Sequence, residues 1–183
     1  NVTNGNLSAS SITLATGTNT INATLTNTGS SAYTISGGSN TIQGTNNNGN
    51  NAYVINGGTN FISALLTGSN GLTATAGTTT LTNNNIYTGT NLVNGTGTLI
   101  TAIAGALGNS TNALSLSNTG TVNLSSTTQT VGALTMNGGN VTNGNLSASS
   151  ITLTSGTNTI NATLTNTGSS AYTISGGNNT IAG

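Results

Sequence analysis

The chain has no Asp, Glu, Lys, Arg, His, Cys, Pro or Trp in 183 residues, so no side chain is charged at neutral pH. Ordinary soluble domains are about 25% charged. Proton transfer near neutral pH needs a group of tunable pKa, and metal-assisted hydrolysis needs carboxylate, imidazole or thiolate ligands. Neither is present, and the abundant Ser, Thr and Tyr hydroxyls have no base to activate them as nucleophiles. The chain is therefore expected not to be an enzyme and to hold no metal or cofactor.

The same absences narrow the partners. Nucleic-acid affinity depends chiefly on Lys and Arg neutralising phosphates, and attraction to anionic lipid needs basic residues too. No apolar run approaches the roughly 20 residues of a spanning helix. Neither nucleic acid nor membrane insertion by this segment is expected. Without cysteine there is no disulfide framework from which to read a redox compartment. Glycine-rich stretches suggest phosphate cradles or calcium loops only where Lys or Asp accompanies them, and here neither does.

What is present is dominated by Asn, Thr, Ser and Gly, with 32% hydrophobic residues and 27 glycines. Such a composition suits a disordered tract, but the order of the residues does not. Asn1 to Gly44 recurs as Asn140 to Gly183 with four of 44 positions changed, and this offset of 139 defines a long repeat. Within it, Ala32-Tyr33-Thr34-Ile35 through Ile42 recurs as Ala52-Tyr53-Val54-Ile55 through Ile62, an offset of 20. The apolar residue closing this pattern forms a column: Val2, Ile21, Ile42, Ile62, Leu81, Leu99, Val122, Val141, Ile160 and Ile181. Seven of its steps, from Ile21 to Ile160, add to 139.

So short a unit cannot bury a face alone, and this one lacks helical periodicity. Local alternation, as in Ile12-Thr13-Leu14 and Ile21-Asn22-Ala23-Thr24-Leu25, puts apolar residues on one side of a strand. Gly37-Gly38, Gly57-Gly58, Asn94-Gly95 and Gly138-Gly139 supply turns. Together these features predict one continuous all-β solenoid over residues 1–183, a parallel β-helix with about three strands per coil. Coils about 4.8 Å apart give each seven-coil repeat a rise of roughly 34 Å. A charge repeated in every coil would face its copies at that spacing, repelling by roughly 1 kcal/mol in water. Stacking disfavours repeated charges; it does not account for their complete absence.

Several residues are candidates for something more than packing. Thr18 and Thr20, Thr78 and Thr80, Thr96 and Thr98, Thr119 and Thr121, Thr157 and Thr159 lie three and one positions before the column. They are expected to form outward Thr ladders, either solvated strand surface or a flat face that orders water as on ice or meets a glycan. Between them, Asn19, Asn40, Asn60, Asn158 and Asn179 read as a corner ladder of amides, with Asn and Gly suited to a left-handed backbone. Tyr33, Tyr53 and Tyr172 hold equivalent places, as packing residues or as a sugar platform. The Asn-x-Ser/Thr triplets, such as Asn22-Ala23-Thr24, are as frequent as chance allows in this composition.

Two stretches resemble a known family. One runs Gly71-Leu72-Thr73, Gly77-Thr78-Thr79-Thr80-Leu81-Thr82, Asn85-Ile86-Tyr87-Thr88-Gly89 and Gly97-Thr98-Leu99. The other runs Thr128-Gln129-Thr130-Val131-Gly132-Ala133-Leu134, then Gly138-Gly139 and Leu146-Ser147-Ala148-Ser149-Ser150. In order and spacing they are similar to the autotransporter-associated β-strand repeats of bacterial passenger proteins, although Ala74 stands where that family usually carries Lys. The resemblance implies a right-handed β-helix at the bacterial cell surface or outside it, serving in adhesion, aggregation or matrix formation. Both termini fall in ordinary repeats, so an uncapped fibre segment is expected, self-associating head to tail or continuing covalently, with lateral bundling and surface glycans as further partners.

Overall fold

A computed structural model describes all 183 residues, Asn1 to Gly183. The chain is all-β and winds into a parallel solenoid of about nine turns, with stacked strands about 20 residues apart. All seventeen strands belong to one sheet, and every pairing is parallel, between one coil and the next. No helix is long and apolar enough to cross a membrane.

Each coil has three faces. The anchor face holds the apolar column, as in Thr18–Asn27, whose first half pairs with the first half of Ser39–Asn47. That strand continues round a corner at Ala23 onto a second face, where Thr24, Leu25 and Thr26 lie beside Thr45, Asn46 and Asn47. The third, the tyrosine face, stacks Ile12–Leu14, Tyr33–Ile35, Tyr53–Ile55 and Leu72–Ala74. Between the third face and the next anchor strand the backbone must turn through positive φ. Gly17, Gly38, Gly58, Gly77, Gly156 and Gly177 do so, at φ 76–82°. A Cβ on Gly38 would overlap the Gly17 carbonyl oxygen, so this corner requires glycine for room as well as for conformation.

Inward residues from the three faces make one core of 34 buried apolar side chains running the length of the rod. Each fully buried Ile, Leu or Val contributes roughly 1.5–3 kcal/mol relative to exposure. Of the predicted column, Ile21, Ile42, Ile62, Leu81, Leu99, Val122, Val141 and Ile160 are buried. Val2 is half-buried and Ile181 is 46% exposed, because the first and last rungs have a neighbour on one side only.

One step of that column is wrong. Leu81 pairs with Thr101, and Leu99 pairs with Thr79. The next pairing, Leu99 with Val122, follows the sequence again. The apparent spacings of 18 and 23 therefore conceal offsets of 20 and 23. Because side chains alternate with period two, a slip of two positions leaves the same side inward, whereas a slip of one would invert it. Leu99 accordingly continues a ladder that begins at Asn19, Asn40, Asn60 and Thr79. It proceeds through Val122 and Val141 and reaches Ile160, two positions beyond Asn158, the sequence equivalent of Asn19.

The tyrosine face behaves differently. Thr13 stacks through Thr34, Val54, Thr73, Leu92 and Ser115 to Thr135. The bond from Thr154 N to Met136 O then places Thr152 next, which is Thr13 plus 139. The sequence repeat thus closes in register on one face and drifts by two positions on another.

Candidate functional site

All ten predicted threonines lie on the surface, but the slip divides them differently from the expected two ladders. Thr18, Thr78, Thr98, Thr121 and Thr159 share one column, completed by Ser39, Thr59, Asn140 and Thr180. Eight of those nine rungs carry a hydroxyl. Thr20 and Thr80 belong to a second column, with Thr41 and Thr142, broken by Phe61, Ile100, Asn123 and Asn161. Thr96, Thr119 and Thr157 lie two positions upstream of the first column. The surface is thus one nearly unbroken hydroxyl ladder with a partial companion, the two about 7 Å apart on adjacent outward positions.

The asparagine ladder forms, by a different mechanism from the one expected. Asn19 donates to Asn40 Oδ1 at 2.7 Å, Asn40 to Asn60 Oδ1 at 2.6 Å and Asn60 to Thr79 Oγ1 at 3.1 Å. Asn158 donates to Asn179 Oδ1 at 2.8 Å in the second copy. Each of these amides also reaches back to a carbonyl of the preceding corner, as Asn40 does to Gly37 O at 2.9 Å. None of the five has positive φ; the left-handed residues are the glycines just before them. The amides therefore tie the corner shut from inside. A second ladder, not foreseen, joins Asn27 to Asn48 Oδ1 at 2.7 Å on the far side of the core.

The tyrosines pack. Tyr33 and Tyr53 are buried with ring centroids 5.9 Å apart, and Tyr87, reaching the stack from a different place in its coil, lies 6.0 Å from Tyr53. Tyr172 is 43% exposed. Burial pushes the phenols of Tyr33, Tyr53 and Tyr87 well above the ordinary tyrosine range, most strongly for Tyr87. The Tyr53 hydroxyl lies 2.6 and 2.7 Å from Asn46 O and Thr67 O, which share its one proton, and Tyr87 donates to Asn91 Oδ1 at 2.6 Å. The Tyr33 hydroxyl and Asn46 Oδ1 have no well-formed hydrogen bond, although Asn46 partly offsets the effect of burial on Tyr33.

Regular stacking is interrupted where residues 102–113 leave strand geometry. The loop is held by buried side chains. Asn85 accepts from Leu66 N at 2.9 Å and donates to Ala106 O at 2.8 Å. Asn91 donates to Leu107 O at 2.8 Å, Asn112 to Tyr87 O and Leu107 O at 3.1 Å each, and Gln129 to Ile103 O at 2.7 Å. Outside this frame lies an open cleft of about 470 Å³, lined by Asn84, Asn85, Ile86, Ala104, Gly105, Gly108, Asn109, Ser110, Thr128 and Thr130. Its walls offer amides, hydroxyls and two exposed aliphatic side chains, Ala104 and the larger Ile86, the latter at 59%. Sequence reasoning missed the cleft; the long step between Leu99 and Val122 was its only trace.

No family model, curated protein or solved structure matches this chain. The resemblance to autotransporter-associated repeats therefore rests on its sequence motifs.

Proposed function

We propose that the chain is a structural segment of an extracellular or cell-surface fibre, a stiff neutral rod used in bacterial adhesion, aggregation or matrix formation, with no catalytic activity of its own. The observation that carries this reading is the parallel ladder of the tyrosine face, which passes from each coil to the next without a break and returns to its sequence equivalent after seven steps. A unit that stacks in this way, in register on the tyrosine face and displaced by two positions on the anchor face, can be repeated through the same parallel pairing, and stability then grows by nearest-neighbour additions. Ladders of neutral amides and hydroxyls stack at about 4.8 Å without the repulsion that stacked charges would bring. Further copies of the repeat are the first partner on this reading, whether joined covalently or head to tail.

Small-angle scattering from chains holding one and two long repeats tests it. The rod should lengthen by roughly 34 Å per added repeat at constant cross-section. A cross-section that grows while the length stays fixed would contradict it.

The hydroxyl column and the polar cleft favour a second reading, a surface that binds an uncharged, hydroxyl-rich ligand such as a glycan, or ice. A chain without charged side chains has donors and acceptors for sugar hydroxyls and no charged side chain to pair with an ionic ligand. Glycan-array and ice-recrystallisation assays decide it: silence in both removes this reading and leaves the structural one.

A further inference from the structure

Seven Asn-Gly pairs occur: Asn4-Gly5, Asn48-Gly49, Asn56-Gly57, Asn70-Gly71, Asn94-Gly95, Asn137-Gly138 and Asn143-Gly144. Asn is a thermolabile residue. Its carboxamide is attacked most readily when the next residue is glycine, whose nitrogen no Cβ shields. The fold treats the seven pairs unequally. Asn48 is fully buried and donates to Asn51 O and Ala52 O, while Gly49 N is taken by Asn47 Oδ1 at 3.0 Å. Gly138 N is taken by Asn158 Oδ1 at 2.7 Å. The carboxamides of Asn56, Asn70 and Asn143 have partners in Thr75, Asn50 and Asn123, and in none of these pairs does the glycine nitrogen donate to the carboxamide of its own asparagine. Asn4 sits in a bulge at φ 57°.

Asn94 is different. Gly95 N donates to the Oδ1 of its own neighbour, Asn94, at 2.6 Å, so the attacking nitrogen already touches the carboxamide it would attack. A second donor, Asn118 Nδ2 of the next coil, reaches the same Oδ1 at 2.5 Å. The turn is pinned on every side, by Asn94 N to Ala74 O, Gly97 N to Asn94 O and Thr119 N to Gly95 O. Asn94 and Gly95 are nonetheless half-exposed, which admits water and lets ammonia leave.

We propose that Asn94 is a built-in deamidation site and that the native fold selects it among the seven. Hydroxide removes the Gly95 N–H proton, and rotation of the Asn94 side chain presents Cγ to the nitrogen. The N–Cγ bond forms as charge gathers on Oδ1, where the Asn118 amide donates to it. The Cγ–Nδ2 bond breaks and Nδ2 leaves as ammonia with a proton from water, giving a succinimide. Water then opens either ring carbonyl, returning a proton to the ring nitrogen and leaving aspartate or isoaspartate. No redox partner is involved. No side chain serves as base, since the only titratable groups are four tyrosines and the N-terminal amine. The product is the only carboxylate side chain in an otherwise neutral rod, placed at a corner between coils.

The absence of Asp makes the test simple, because an Asp-specific protease has no site in the unmodified chain. The folded protein and the same protein in concentrated urea are incubated at mildly alkaline pH, separated by anion exchange and mapped by protease and mass spectrometry. The folded chain should convert Asn94 several-fold faster than any other Asn, a preference lost in urea. Asn118→Gly, which keeps the left-handed backbone at φ 59° accessible, should slow Asn94 in the folded state alone. Slower conversion of Asn94 in the folded chain than in urea, or another Asn-Gly pair leading, would overturn the proposal using the wild-type protein alone.

Discussion

Replacing Asn40 by Val should cost far more than its size suggests, and replacing the whole ladder should cost less than the sum of its parts. Asn40 is 2% exposed and makes three hydrogen bonds, from Asn19, to Asn60 and to Gly37 O. Val removes all three. The worst consequence is at Asn60, also 2% exposed, whose Oδ1 loses its donor inside the core. A buried orphan of that kind costs about 1–3 kcal/mol. Asn19 keeps its bond to Thr16 O and is partly solvated, so its loss is nearer the ordinary net value of about 1 kcal/mol. Removing a polar group from an apolar setting returns a fraction of this, leaving a net cost of about 1–3 kcal/mol. In the triple variant Asn19→Val, Asn40→Val, Asn60→Val the amides vanish together, and the carbonyls they served at Thr16, Gly37 and Gly57 remain solvated in part. The same ladder already holds Leu99, Val122, Val141 and Ile160 further along, so apolar residues fit its cross-section. Urea denaturation followed by far-ultraviolet circular dichroism gives both numbers. A single-variant cost below about 0.5 kcal/mol, or a triple cost three times the single, would refute the reasoning.

Three further outcomes follow from particular contacts. Stability should be level through the acidic and neutral range and fall above about pH 10. Tyr33, Tyr53 and Tyr87 have folded pKa values raised by burial above their unfolded value of 10.0, so their contribution is complete below it and declines as pH rises through it. Three such groups give a slope of at most ~4 kcal/mol per pH unit, and a shift in melting temperature between pH 4 and 8 would contradict this. Gly71→Ala should be strongly destabilising, because its Cβ would overlap the Thr90 carbonyl oxygen in the next coil, with backbone unable to retreat; a melting temperature within a degree of wild type would disprove that clash. Phe61→Thr, at a 46% exposed position, should change stability by no more than about 0.5 kcal/mol while mending the second hydroxyl column; a larger loss would mean that the ring packs against its neighbours.

Repetition made most of the fold legible. Recurrence at a short and a long period identified the solenoid, and eight of the nine steps in the apolar column are true pairings. The failed step, Leu81 to Leu99, came where inward residues recur every second position, so hydrophobicity could not distinguish Leu99 from Thr101 as the partner. Thr101, which the column passes over, is fully buried, its hydroxyl 3.1 Å from Thr127 Oγ1. The frame around the cleft was hidden by composition. In a chain where Asn is everywhere, nothing marks Asn85, Asn91 and Asn112 as buried ligands of a loop. Asn85, Tyr87 and Gln129 lie within the motifs that suggested the bacterial repeat family, and in this fold Asn85 and Gln129 hold backbone in place while the Tyr87 hydroxyl holds the Asn91 side chain.

Electron microscopy of the native material, at a resolution that shows axial spacing, tests the central claim most directly. Long filaments with coils about 4.8 Å apart and a periodicity near 34 Å are the predicted result. Short discrete particles, or cross-β ribbons assembled from many separate chains, would contradict it.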